Sequence, residues 1–214
     1  LAIISTLAYH TVVRPADVYH EGISRLAWKD FRYAKELGYA IKLLAIAKVI
    51  DNNLEARVHP VFIPENSMLA KVKGVFNAVQ IHGDLVGDLI FYGRGAGAAP
   101  TSSAVIADVV ALAQNIYSGA GNRPGVLPEQ KKSIKRISEV ETRYYLRMNV
   151  ADRPSVLAKI SQVLGEHNIS ISAVIQKEVD VQAQTAEIVI MTHTALEAAV
   201  QQAAKELEKL DVVK

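Results

Sequence analysis

Tyr144-Tyr145-Leu146-Arg147-Met148-Asn149-Val150 is a strand pattern in which Tyr144, Leu146, Met148 and Val150 alternate with Arg143, Tyr145, Arg147 and Asn149. A two-residue period sends one set to a buried sheet face and the other set to the opposite face. After the turn Asp152-Arg153-Pro154-Ser155, residues Val156, Leu157, Ile160, Val163 and Leu164 mark one face of a helix. Alternation returns at Ile169, Ile171, Ala173 and Ile175, and again at Ala186, Ile188 and Ile190 beyond a polar turn near Asp180. Leu196, Val200, Ala203, Leu207 and Leu210 mark a second helical face, and Asp211-Val212-Val213 begins a last short strand. The order βαββαβ predicts a split-βαβ unit. Its sheet buries one face under two helices and leaves the other free to pair with a second copy.

Upstream, Gly119 to Ile137 reads as a linker. Gly119, Gly121, Pro124, Gly125 and Pro128 are followed by the charged run Glu129-Gln130-Lys131-Lys132, a solvated surface. Before it, Tyr39 to Ile50 and Leu54 to Ile63 are aliphatic and β-branched, joined by Asp51-Asn52-Asn53 as a tight hairpin. Pro60 and Pro64 push the second of these strands toward an edge or bulge. Asp30 caps a short helix that stops at Gly38. Ala78 to His82 and Val86 to Tyr92 form a second pair, turning through Gly83-Asp84. The fold class is therefore α+β. A mainly antiparallel sheet domain with flanking helices occupies 1–118, a linker 119–137, and the βαββαβ unit 138–214.

The second strand pair runs into Gly93-Arg94-Gly95-Ala96-Gly97-Ala98-Ala99-Pro100-Thr101-Ser102-Ser103, and a helix is expected from Ser102 to Tyr117. Glycines at alternate positions permit unusual backbone conformations and remove the Cβ atoms that would hold a ligand away. The helix directs its N-terminal amides and positive dipole end at that loop, where an anion could bind. The alternative is a turn that only lets strand and helix pack closely.

Composition bounds the function. A chain of 214 residues that is half hydrophobic buries a real core. A net charge of +2 with both signs interspersed lacks the footprint of a nucleic-acid binder. The absence of cysteine excludes disulfides and thiolate catalysis and is compatible with a reducing cytoplasm. The six histidines, His10, His20, His59, His82, His167 and His193, show no pair at zinc-site spacing, so no metal is expected. No apolar stretch is long enough to span a bilayer, because Lys42 and Lys48 interrupt even the run Ala40 to Ile50. The first residues, Leu1 to Ala8, read as a cut made inside a helix, without a methionine, a cap or a signal-peptide pattern.

Two sets of words carry a resemblance. Val150-Ala151-Asp152-Arg153-Pro154-Ser155-Val156-Leu157 with His167-Asn168-Ile169-Ser170-Ile171 resembles an ACT domain, a ferredoxin-like regulatory module that binds amino acids. Lys35-Glu36-Leu37-Gly38-Tyr39-Ala40-Ile41-Lys42-Leu43-Leu44, Val58-His59-Pro60, Phe76-Asn77-Ala78-Val79, Gly83-Asp84 through Val86-Gly87, and Tyr92-Gly93-Arg94-Gly95-Ala96-Gly97 with Pro100-Thr101 resemble the C-terminal part of homoserine dehydrogenase. Together they cover nearly the whole chain.

The resemblance implies an enzyme that interconverts L-aspartate 4-semialdehyde and L-homoserine with NADP or NAD. It also implies that the Rossmann domain, the acidic substrate ligands and the catalytic lysine lie upstream of Leu1. No catalytic residue is then assigned here, and the fragment alone is expected to be inactive. Lys29, Lys35, Lys42 and Lys48 read as surface or strand-edge charges. Gly97 and, less directly, Gly95 would offer amides to the cofactor. Arg94 replaces the family's usual proline, and Asn77 either bonds the turn or faces substrate. In the ACT module the effector sits between two copies: Asp152 would meet its ammonium, and main-chain amides around Pro154, Ser155 and Val156 and at Asn168 and Ile169 its carboxylate. Ser155 replaces a common glycine, and Asp152 is equally an N-cap candidate. Threonine is the expected effector, a homodimer the expected assembly and the cytoplasm the expected location. The alternative is a non-catalytic amino-acid sensor with a dimerisation domain.

Overall fold

The structure, a computed structural model, describes residues 1–119, 132–180 and 182–214. Its first unit is organised around a long hairpin. Strands β2 (Tyr39–Ile50) and β3 (Asn53–Pro64) follow helix α1 (Ala2–Tyr9), strand β1 (Tyr19–His20) and helix α2 (Trp28–Glu36). Ile50 pairs with Asn53, so the connection is only Asp51-Asn52, one residue shorter than expected. Both residues have positive φ, 48° and 62°, the left-handed pair that matches strand twist in a two-residue hairpin.

Strand β3 is not an edge over its first half, contrary to the expectation from its prolines. Strand β1 lies parallel to it at Arg57 and Val58, and β6 (Ser133–Ile134) lies parallel at Asn53 and Leu54. Pro60 falls beyond both, opposite Leu43 of β2, where its missing N–H costs no ladder bond on the far side. Helix α1 covers this sheet through a small core of Val13, Leu54 and Ala56, joined by Leu1, Ala2, Tyr9, Val18 and Ile134. Residues 133–134 thus belong to the first sheet rather than to a linker. Most of the predicted linker, 120–131, lies outside the described residues.

Helix α2 begins at Trp28 with Ala27 as N-cap. Asp30 therefore does not cap it. As the third helical residue, it accepts the Ala27 amide at 2.7 Å. Gly38 stops the helix as expected, at φ +81°. Strands β4 (Phe76–Gly83) and β5 (Gly87–Arg94) form a separate hairpin closed by Asp84-Leu85-Val86. Helix α3 (Ala98–Tyr117) starts four residues earlier than expected. Pro100 is tolerated there because first-turn amides have no intrahelical acceptor. None of its residues is buried.

The second unit has the expected order. The short strand β7 (Glu141–Thr142) leads to β8 (Tyr145–Ala151), α4 (Val156–Glu166), β9 (Ile171–Asp180), β10 (Thr185–Thr192), β11 (Ala195–Leu196) and α5 (Glu197–Leu207). Strand β10 lies antiparallel between β8 and β9, and the chain end returns to β8 through the pair Val150 and Val213. Val150, Ile160, Leu164, Ile188, Ile190, Val200 and Leu207 form the core between one sheet face and the two helices.

The other sheet face is not free for a second copy. Helix α2 lies on it: Tyr33 donates to Glu187 at 2.9 Å, and Asp30 accepts from Arg147 at 2.7 Å and from Tyr145 at 2.8 Å. Phe62 of β3 stacks on Tyr145 with ring centroids 4.6 Å apart. Val189 and Met191 on this face are buried. The first unit thus occupies, within one chain, the face expected to meet a partner.

Candidate functional site

The glycine loop is short, because Gly93 and Arg94 still pair with Asn77 and Phe76. Arg94 sets its guanidinium over the Phe76 ring at 5.6 Å, and Phe76 stacks on Tyr92. This gives the arginine a structural place on the hairpin. Gly95 donates its amide to the Val75 carbonyl at 3.2 Å. A Cβ on it would fall 1.9 Å from Asn77 Nδ2, so Asn77 fills the space that this glycine leaves. Asn77 therefore packs against the turn.

Gly97 is different. It N-caps α3 at φ 124°, ψ 154°, a region essentially restricted to glycine, and its carbonyl accepts the Thr101 amide at 3.1 Å. A 20-residue helix with its dipole aligned starts at this point. Of the two glycines singled out in the sequence, Gly97 caps the start of α3, and the Gly95 amide is already engaged.

In the second unit, Ser155 is the N-cap of α4 at φ 71°, with no side-chain capping bond. This left-handed conformation is one that glycine adopts without strain, and it sets a modest strain on the serine. Asp152 is not the cap: its amide donates to Gln184 at 2.9 Å, and its side chain is exposed. Arg153 and Lys159 both reach Asp211, at 2.7 and 3.0 Å, and the two cations hold that carboxyl below its usual pKa. They tie the loop after β8 to the chain end.

Asn168 and Ile169 lie at the other end of α4. Asn168 has φ 56°, its amide donates to Gly165 at 2.9 Å, and the Ile169 amide donates to Leu164 at 2.9 Å. Both amides therefore close the helix C-terminus and are not available to a carboxylate. Eleven residues of helix separate them from Ser155, about 16 Å along the axis. A single chain does not bring the predicted effector residues Asp152, Pro154, Ser155 and Val156 together with Asn168 and Ile169.

Three of the four lysines have structural partners. Lys29 pairs with Glu187 at 3.5 Å, Lys42 donates to the Val72 carbonyl, and Lys48 pairs with Glu55 at 3.3 Å. His59 is pushed below its ordinary pKa by burial, with Arg57's charge adding to the effect against the Pro60 carbonyl. The neutral ring accepts from Arg57 Nε at its Nε2 and donates from Nδ1 to Pro60, both at 3.0 Å. Among the described residues no cluster of three or more His, Cys, Asp or Glu could hold a metal, and no helix is long and apolar enough to cross a membrane.

Sequence reasoning missed the polar seam between α2 and the second sheet. Asp30 is almost fully buried there. Burial alone would raise its pKa, but bonds from Arg147, the Ala27 amide and Tyr145 outweigh that and lower it. Tyr145 is shifted upward by burial and by the same carboxylate. The available signal was polar residues at the outward positions of an otherwise regular strand.

Residues 1–110 match the family model described as homoserine dehydrogenase, and residues 144–212 match that of the ACT domain. The chain is 42% identical over 218 residues to homoserine dehydrogenase of Neisseria gonorrhoeae, covering 100% of this chain and 50% of that protein. With the Helicobacter pylori homoserine dehydrogenase it shares 40% identity over 213 residues, again 100% of this chain and 50% of the relative. The crystal structure of a homoserine dehydrogenase from Thiobacillus denitrificans superposes with a TM-score of 0.90 at 41% identity, covering 100% of this chain and 49% of that one. The S. aureus enzyme at pH 6.0 gives 0.63 at 26% identity, covering 95% and 48%. The chain spans about half the length of the curated relatives it matches.

Proposed function

The chain belongs to the homoserine dehydrogenase family, and from that premise we propose that it is the C-terminal half of an enzyme interconverting L-aspartate 4-semialdehyde and L-homoserine with NADP or NAD. Its two units, 1–118 and 138–214, serve as the substrate and dimerisation region and as an ACT module for amino-acid feedback. The observation carrying this reading is that both matched modules occur in order along one chain that aligns from end to end with half of each relative.

The Gly97 turn and the α3 N-terminus suit a dinucleotide phosphate. There is no Cβ at the capping position, and a helix dipole is aimed at the turn. When bound, the cofactor supplies or accepts the hydride. Gly97 offers close main-chain approach to it, and Gly95 with Asn77 sets the shape of the loop. The catalytic lysine and acidic substrate ligands are placed outside these 214 residues, consistent with the structural engagement of Lys29, Lys42 and Lys48. The isolated chain is then inactive. The exposed apolar side chains of α3 and of the β4–β5 hairpin, such as Val105, Val109, Leu112, Val79 and Phe91, support its being covered in an assembled dimer.

For the effector, threonine, Asp152 receives the ammonium, and the amides of Ser155 and Val156 at the start of α4 receive the carboxylate. The part near Asn168 and Ile169 comes from a second copy and uses the exposed Asn168 side chain, since both amides close α4 and Ile169 lies in the core. The enzyme is placed in the cytoplasm.

The test is homoserine-dependent reduction of NAD or NADP by protein that also carries the upstream half present in the relatives, with the 214-residue chain as control. Activity in the long form alone is expected. Turnover by the short chain, or a folded long form without activity, overturns the reading. Calorimetry of the dimer with threonine tests the feedback role, and absence of binding removes it.

A further inference from the structure

Glu55, Arg57 and His59 alternate along β3, so the two-residue period sets all three side chains on one face of the sheet. They form a hydrogen-bonded row. Arg57 donates from Nη1 to Glu55 Oε2 and from Nε to His59 Nε2, and His59 Nδ1 donates to the Pro60 carbonyl. One ring nitrogen accepts and the other donates, which only the neutral imidazole can do. Arg57 is buried and keeps its charge at every pH the fold survives, so it cannot exchange roles with the ring.

The row ends at the seam between the two units. Beside β3, Glu21 follows β1 and donates its amide to the Val58 carbonyl at 2.8 Å. From the second unit comes Glu197, at the start of α5, whose carboxylate accepts from Tyr144 and from Gln201, each at 2.8 Å. The charges of both carboxylates act on the His59 ring and favour its protonation, whereas burial and Arg57 oppose it. On β2 the residue opposite the ring is the apolar Leu44, and Lys42, two positions along the same face, gives its ammonium to the Val72 carbonyl. His59 thus stands between a cation of its own strand and carboxylates carried by two other elements, one of them in the second unit.

We propose that His59 is an acid-operated latch at this seam: on taking up a proton it surrenders Arg57 and turns to Glu21 and Glu197. Protonation makes Nε2 a donor facing the Arg57 Nε–H and sets two cations side by side. The same charge is drawn to the two carboxylates, so a bond within β3 is exchanged for one that ties β3 to the second unit. Burial and Arg57 hold the folded ring below the ordinary histidine value of about 6.5. The unfolded chain therefore takes up the proton first. The stability linked to His59 is complete above about pH 6.5 and declines as pH falls from there through the folded-state value. The inference does not depend on the dehydrogenase reading.

The test is an NMR titration of the 214-residue chain from about pH 8 to about pH 5, following the His59 ring nitrogens and the Arg57 Nε proton. The ring is expected to titrate below the ordinary value, and the Arg57 proton, protected from exchange at high pH, to lose its protection in the same transition. Glu197→Gln keeps an acceptor for Tyr144 but removes the charge, so it should lower the His59 titration further. Glutamine at 59 accepts from Arg57 without titrating, so in His59→Gln the thermal midpoint should fall less than in the parent over the same range. A ring that titrates at or above the ordinary value overturns the inference, as does an Arg57 proton indifferent to the transition. So does a His59 titration that Glu197→Gln leaves in place, or an equal fall of midpoint in folded His59→Gln. If His59→Gln does not fold, the titrations of the parent and of Glu197→Gln decide.

Discussion

Arg147, on the second sheet, donates from Nε to Asp30 Oδ1 at 2.7 Å, joining helix α2 to a strand 117 residues away in sequence. The same guanidinium reaches Glu187 at 3.0 Å, so one cation bridges two largely buried carboxylates. The bond network holds Asp30 below the usual carboxylate pKa of about 3.9. A depressed folded-state value means that this stabilisation is complete above the unfolded pKa and is lost as pH falls through the folded one. Urea unfolding should show Asp30→Asn less stable than the parent by about 2 kcal/mol at pH 7, with the gap narrowing as pH falls below about 4. Parallel stability curves for the two proteins down to acid pH would remove Asp30 as the titrating group.

Tyr33 is fully buried and donates to Glu187 Oε1. Tyr33→Phe keeps the ring and removes the donor, so the expected loss is about 1.5–3 kcal/mol, the range for a bond to a charged group. Denaturant midpoints at constant slope measure it, and a neutral substitution would show that Glu187 finds another donor.

Gly95→Ala brings a Cβ to 1.9 Å from Asn77 Nδ2 and 2.6 Å from its Cγ. Asn77 is exposed and its side chain can swing aside, so a loss of about 1 kcal/mol is expected. Asn77→Ala in the same chain should recover most of it, because the offending atoms are gone. The double-mutant cycle reads this directly, and additive effects would rule out the close approach.

Ser155 holds φ 71° without a capping bond. Ser155→Gly relieves strain of about 1–2 kcal/mol, less the extra entropy of an unfolded glycine. A net gain of about 0.5–1 kcal/mol in thermal unfolding is expected. If the melting temperature falls instead, the serine hydroxyl makes a bond that offsets its backbone strain.

Elements with a clean period were legible from residue order alone. The alternation in β8 and β10, the helical face from Val156 to Leu164, and the β2–β3 and β4–β5 hairpins all stand where their patterns place them. Three features were hidden for physical reasons. Pro60 marks an unpaired stretch correctly, but says nothing of the partners that β3 gains seven to two residues earlier, at Asn53 and Val58. Pro100 suggests a later start for α3, yet a first-turn proline lacks only an amide that would have no acceptor. The covered sheet face was the hardest to read. Asp30, Arg147 and Glu187 carry charge, and charge by itself reads as surface, so their burial becomes visible only once the three are paired.

At the sites, the glycine at 97 signalled the positive φ found there, whereas the serine at 155 gave no sign of its own. The hydrogen bonds made by the amides of Gly95, Asn168 and Ile169 were not legible, because a motif names a residue without saying where its amide is already committed.

The addition of β6 to the first sheet has a consequence for how the protein is made. Ser133 and Ile134 complete an edge begun by Asn53 and Leu54, so the sheet stays unfinished until residue 134 has emerged from the ribosome. By then α3 has been synthesised, and the nascent chain must keep the Leu54 edge open for a strand that arrives late. A gene cut at residue 118 would strand that edge permanently. A chimera exchanging the regulatory module should therefore place its junction after Ile134, where the sheet takes its last strand along with it.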